Sequence, residues 1–322
     1  MKAFSILFAL AFSLPMAAQA QSGAWPSKTV RVLVPYAAGS VPDSIARLVF
    51  DRVQKATGKV VVVENKPGAA GMIGTDQVAK AAPDGHTLVL APSGPLAANV
   101  LLYKKMPYDP LKDLAPVALV AETPTILVAS NATSANDASG LLKMMADAKN
   151  RMAYASPGAG TLGHLNMAYL VSRSGAANIP HVPYPGSPQI ISALIANDVQ
   201  MAALPPPAVV SHVKAGKFKA IATIGPRRSS ALPDVPTLKE QGIDFEPVGW
   251  FGVATTAGTP PDILEAIHRY IGAALKDPEV ASAYRTQGLD VADLGPKAFA
   301  AYIDEEIVRW KPVIQRFGIS LD

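Results

Sequence analysis

The 322-residue chain has no cysteine. That absence excludes disulfides, thiol nucleophiles and cysteine-held metal centres together. Histidine is scarce: His86, His164, His181, His212 and His268 are all there are, and no two of them fall at a His-x-x-x-His spacing. No metal site and no cofactor are therefore expected. There is no Gly-x-Ser-x-Gly elbow to expose a serine nucleophile, so no catalytic residue is assigned. Charged residues make up only 17% of the chain, and no basic run exceeds two residues, so the net charge of +4 leaves no nucleic-acid footprint. That small excess suits the attraction of small anions. Beyond the N-terminus no stretch reaches the ~18 uninterrupted apolar residues of a membrane span. Internal repeats and low-complexity segments are also missing.

What is present starts with an export signal. Lys2 is followed by an apolar run, Ala3 to Leu14, then Pro15 and the small-x-small site Ala18-Gln19-Ala20. Residues 1–20 read as a cleavable signal peptide, with the mature chain starting at Gln21. No cysteine follows to carry a lipid anchor. The mature protein is expected to be exported, soluble and not membrane-inserted. Its 49% hydrophobic content and its length suit two domains with real cores.

The stretch Val30 to Arg47 organises the rest. Val30–Val34 is a β-branched strand, Pro35–Pro42 a tight turn, and a helix starts at Asp43. Ala37, Ala38, Gly39 and Ser40 are small, which lets a ligand approach the backbone. The helix that follows aims its free N–H groups and its positive dipole end at the turn, which suits an anion. This is one half of a cleft for a carboxylate. A second valine run, Val60 to Val63, reads as another buried strand, and Thr87–Ala91 as a third that runs into the small-residue loop Pro92-Ser93-Gly94. The β-α-β-α-β rhythm predicts a parallel sheet. A second group of strands and helices follows from about residue 126. Gly249-Trp250-Phe251-Gly252 lies in a strand that returns to the first group, with Trp250 and Phe251 filling the hinge. The expected architecture is α/β with two lobes, 25–125 plus 248–322 and 126–247, joined by two crossings, each a sheet flanked by helices with the cleft between them.

The second conspicuous loop is Ser156-Pro157-Gly158-Ala159-Gly160-Thr161-Leu162-Gly163-His164. Its Gly-x-Gly-x-x-Gly matches a dinucleotide fingerprint, but the next strand, Ile179–Tyr184, carries no acidic residue for a ribose. The same loop can cradle a carboxylate at a helix start. Ser40, Ser93 and Ser156 are read as neutral donors to a ligand. Asp43 either caps its helix, orients its loop or bonds a donor on the ligand, and Tyr36 either shields the ligand or packs. His164 is read as bonding a nearby backbone carbonyl.

Several stretches together resemble one family. Val34-Pro35-Tyr36-Ala37-Ala38-Gly39 with Asp43 and Ala46-Arg47 is similar to the proline–aromatic–Gly–Gly–Asp–Ala–Arg signature of the Bug-type substrate-binding proteins of tripartite tricarboxylate transporters. Val61 to Gly71, Ala82-Pro83-Asp84-Gly85-His86, Met106 to Pro110, His181-Val182-Pro183-Tyr184 and Ala231 to Thr237 continue the match in order. The resemblance implies a monomeric periplasmic binder of the two-lobed, periplasmic-binding-protein-like (type II flytrap) kind. It would capture a small organic carboxylate, di- or aromatic, and hand it to membrane permease subunits. The positions that match the family's ligand loops are Tyr36, Ala38, Gly39, Ser40 and Asp43 in lobe one, Ser93 beside them, and Gly158, Gly160 and Thr161 in lobe two. Three departures stand out. Ser40 replaces a glycine, Leu204-Pro205 lacks the polar pair that usually precedes it, and Pro185 stands where lysine is common. They favour a ligand with an apolar middle over citrate. An exported α/β hydrolase or isomerase, and a ligand-presenting sensor component, are the alternative readings.

Overall fold

The computed structural model describes residues 25–176, 179–184 and 186–320. The expected signal peptide and the departure at Pro185 lie outside the described residues.

Strand β1 (Val30–Val34) shows why the first lobe is a layered α/β sandwich. Val30, Val32 and Val34 enter one apolar cluster, while Leu33 enters the cluster on the opposite face. Strand β3 (Thr87–Pro92) alternates likewise, with Leu88 and Leu90 on one face and Val89 and Ala91 on the other. A strand buried on both faces needs apolar residues at every position, and side chains alternate between the faces. Helix α1 (Val41–Thr57) covers one face through Ile45, Val49, Phe50 and Val53, which share a helical stripe, and ends at Gly58 in the left-handed region, φ 65°.

Strand β2 (Val61–Asn65) and β3 flank β1 in parallel. The sheet is nonetheless mixed, which corrects the parallel expectation. Strand β10 (Gly249–Thr256) inserts antiparallel between β3 and β4 (Leu114–Thr123), and β11 (Asp290–Leu294) closes the far edge beside β4. The order is β11-β4-β10-β3-β1-β2. β2 is therefore an edge strand, with Val60 beside it 57% exposed and Val62 40% exposed, where burial was expected. The five-stranded second sheet has the order β7-β6-β8-β5-β9. Its members are β5 (Thr125–Ala129), β6 (Tyr154–Ser156), β7 (His181–Pro183), β8 (Met201–Leu204) and β9 (Lys219–Ile224). Leu127 and Ala129 of β5 face one cluster, Ile126 and Val128 the other.

Thr123-Pro124-Thr125 carries the chain from the first sheet to the second, and residues 225–248 bring it back. A third link appears that the sequence did not announce. In the C-terminal helix α10 (Pro296–Phe317), Phe299 and Ile303 pack into the first lobe, while Trp310, Val313 and Ile314 pack into the second. Trp250 is buried in the first lobe's core and Phe251 on its other face, both within that lobe where a place at the hinge was expected.

Candidate functional site

The Pro35–Ser40 turn is held from behind. Gly39 takes a left-handed φ of 79°, and the Ser40 N–H donates to the Ala37 carbonyl at 3.2 Å. Asp43, in the first turn of α1, accepts the Gly39 N–H at 2.8 Å, the Asn65 amide at 2.9 Å and the Arg47 guanidinium at 3.0 Å. The Asn65 amide also donates to the Tyr36 carbonyl at 3.1 Å. Burial pushes the Asp43 carboxyl up, but the bonds from Arg47, Gly39 and Asn65 together hold it below its ordinary value. Asp43 is thus ionised and occupied, and its role is to orient the loop. Beyond this lock the Tyr36 ring slots against bare backbone: a Cβ on Gly71 would sit 3.3 Å from the Tyr36 hydroxyl. Burial pushes that hydroxyl up to about 12, so it stays a neutral donor.

Pro92-Ser93-Gly94 does not form a loop as expected. Ser93 is already helical, and a π-turn (Gly94–Ala98) leads into Asn99–Leu102. Neither the Ser93 hydroxyl nor that of Tyr36 has a hydrogen-bond partner among the described residues.

In the second lobe the Gly158–Thr161 loop opens helix α5 (Leu162–Ser174). The Thr161 hydroxyl donates to the Gly158 carbonyl at 2.8 Å and accepts the His164 N–H at 3.4 Å, as an N-cap does. Ser156 accepts the Gly158 N–H at 3.1 Å and bonds the His181 ring at 2.7 Å. The Gly160 N–H donates to the Nδ1 of His164 at 3.0 Å. His164 therefore bonds a backbone amide, where a carbonyl was expected. Its ring stacks on His181 with centroids 4.1 Å apart. Burial, then the neighbouring His181, pushes it down to about 4, so at neutral pH Nδ1 keeps the lone pair that accepts this bond. The amides of Gly158 and Gly160 are thus occupied within the loop. With the His164 amide taken by Thr161, the Leu162 and Gly163 amides are the ones at the start of α5 that remain for an anion.

The two lobes meet around a cavity of about 330 Å³. Tyr36 and Ser93 line it from the first lobe, Gly160, Thr161 and Leu162 from the second, and Trp310 from α10. No charged side chain lines it among the described residues. A larger cavity of about 570 Å³ lies behind the His164–His181 stack, but only the second lobe and the end of α10 line it. The smaller cavity is lined from both lobes. Among the described residues no cluster of His, Asp or Glu is arranged to hold a metal ion.

The family model described as the tripartite tricarboxylate transporter family receptor matches residues 45–319. The chain belongs to that family. It is 34% identical over 312 residues to "Protein BugT" of Bordetella pertussis, covering 95% of this chain and 94% of that one. Among solved structures it resembles MatC from Rhodopseudomonas palustris with bound malate: 31% identity, TM-score 0.71, covering 90% of this chain and all of the other. A second R. palustris protein, solved with adipate, gives 29% identity and TM-score 0.74, covering 92% of this chain and 100% of that one. The family is one of substrate-binding receptors of transporters, not of enzymes.

In this receptor the cavity gathers four of the nine residues singled out by sequence: Tyr36, Ser93, Gly160 and Thr161. Ala38, Gly39, Ser40, Asp43 and Gly158 lie in the flanking loops without lining it. The Ser40 hydroxyl is buried and unpartnered. Sequence reading missed Asn99, Leu102, Leu165 and Trp310, which line the same space. A helical spacing flags Leu102 or Leu165 as apolar, but no local signal marks either as a cleft residue.

Proposed function

We propose that the receptor captures a small organic carboxylate between its lobes and presents it, closed, to membrane permease subunits after export through residues 1–20. The lobes are assigned as 25–125 plus 248–322 and 126–247, with α10 as a strap across them. One observation carries the reading. The start of α5, Tyr36 and Ser93 line one cavity from opposite lobes, with no acidic side chain among the described residues that line it. The helix dipole and first-turn amides supply the positive end, and the two neutral hydroxyls add donors. Thr161 caps and Asp43, Gly39 and Gly158 shape the loops, while Ala38 and Ser40 keep the first turn small. The malate- and adipate-bound relatives support an acid as ligand. Titration calorimetry of the mature protein against a panel of mono-, di- and aromatic carboxylates tests this. Heat of binding for at least one acid is expected, and silence from the whole panel overturns it.

A further inference from the structure

We infer that the ligand is a single-headed acid, one carboxylate on an apolar body, and that Leu102, Leu165 and Trp310 form the wall that rejects a second carboxylate. The inference rests on the receptor reading above and narrows it.

The cavity has few polar groups in its lining. Donors come from Tyr36, Ser93 and the start of α5. Leu102, Leu165 and Trp310 line the same space, and they belong to one continuous apolar cluster although they come from three elements. Trp310 has a polar handle, but it is turned away. Its indole N–H donates to Glu306 at 3.2 Å, and Glu306 also accepts the Trp250 N–H at 3.2 Å. Arg309, the cation next to Trp310 in sequence, is paired with that same Glu306. Trp310 is therefore fixed with hydrocarbon, not N–H, toward the ligand. Asn99, the one side-chain amide in the lining, donates to the Ala70 carbonyl at 3.4 Å. Among the described residues no arginine or lysine lines the cavity to receive a distal carboxylate. A second charge would lose its water against leucine and indole with nothing to pair it, which is among the costliest ways to bury a group. An apolar chain or ring at the same place gains by burial and by contact with the indole face.

The experiment compares acetate, butyrate, hexanoate and adipate by calorimetry on the mature protein. Affinity is expected to rise about fourfold per added methylene from acetate to hexanoate. Hexanoate is expected to bind at least tenfold tighter than adipate, its six-carbon diacid. In a Trp310→Ala variant the ratio of hexanoate to acetate affinity should fall tenfold or more. Trp310→Phe should restore most of the hexanoate affinity. A flat series from acetate to hexanoate, or adipate binding as tightly as hexanoate, overturns this inference and leaves the receptor reading standing. Should Trp310→Ala fail to fold, the wild-type series decides alone. No binding by any of the four, nor by the wider panel, overturns the receptor reading and this inference with it.

Discussion

Asp43 shows how a single residue can be essential to a binding loop without touching what the loop binds. It gathers the Gly39 amide, the Asn65 amide and Arg47. Asp43→Ala removes the shared acceptor of all three donors. A loss of about 2 kcal/mol in denaturant-derived stability is expected, with weaker acid binding because the turn is no longer held. His164 gives a prediction in pH. Its folded value lies at about 4, below the ordinary histidine value. As pH falls below ~6.5 the unfolded chain takes up this proton before the folded one does, so stability declines until about pH 4 and levels there. His181 is lowered in the same direction. Urea midpoints measured across pH 7 to 4 should fall more steeply in the wild type than in His164→Phe; equal slopes would contradict the assignment. Both residues lie in stretches that sequence picked out. What sequence could not say is that the Gly160 amide, expected to hold the ligand, is already taken by His164.

Among the elements, α5 depends on a missing side chain. A Cβ on Gly163 would come within 2.6 Å of the Ala203 carbonyl oxygen in β8. The oxygen belongs to backbone and the Cβ is fixed in place by its own backbone, so neither can swing aside. Gly163→Ala should push the start of α5 off the second sheet, costing roughly 2–3 kcal/mol. It should also weaken acid binding, seen by calorimetry, because the helix start is the anion end of the site. Elements such as β1, β3 and α1 were legible because their own residues settle them: short, mostly apolar runs bounded by turn residues, or an apolar stripe closed by Gly58. β2 was legible as a strand but not as an edge, since a valine run looks the same whether one neighbour or two pair with it. β11 went unseen because Asp290 and Asp293 break its apolar pattern, and it exists through its pairing with β4. Pro92-Ser93-Gly94 has turn-forming composition, yet it winds into a π-turn whose Tyr108 hydroxyl contact at Pro95 is thirteen residues distant.

At the scale of the whole molecule, α10 changes how the lobes behave. Two crossings alone would leave two loosely joined sandwiches. A helix with Phe299 in one core and Trp310 in the other makes their stabilities interdependent. A single calorimetric unfolding transition is expected for the mature protein, moved upward by a saturating acid, by about 2.7 kcal/mol at a hundredfold excess over Kd. Two separate transitions would show that the strap does not couple them. The amino-acid sequence by itself determined the alternation of strands and helices, the glycine-bearing turns at their ends and the family, because spacing, capping and turn chemistry act between residues a few positions apart. The tertiary structure alone decided that β10 enters antiparallel, that α10 bridges the lobes, which amides are left over for a ligand, and that Trp310 and Tyr36 line one cavity. Each of these depends on which distant group arrives to pair or pack, and nothing in a local stretch of chain encodes that arrival.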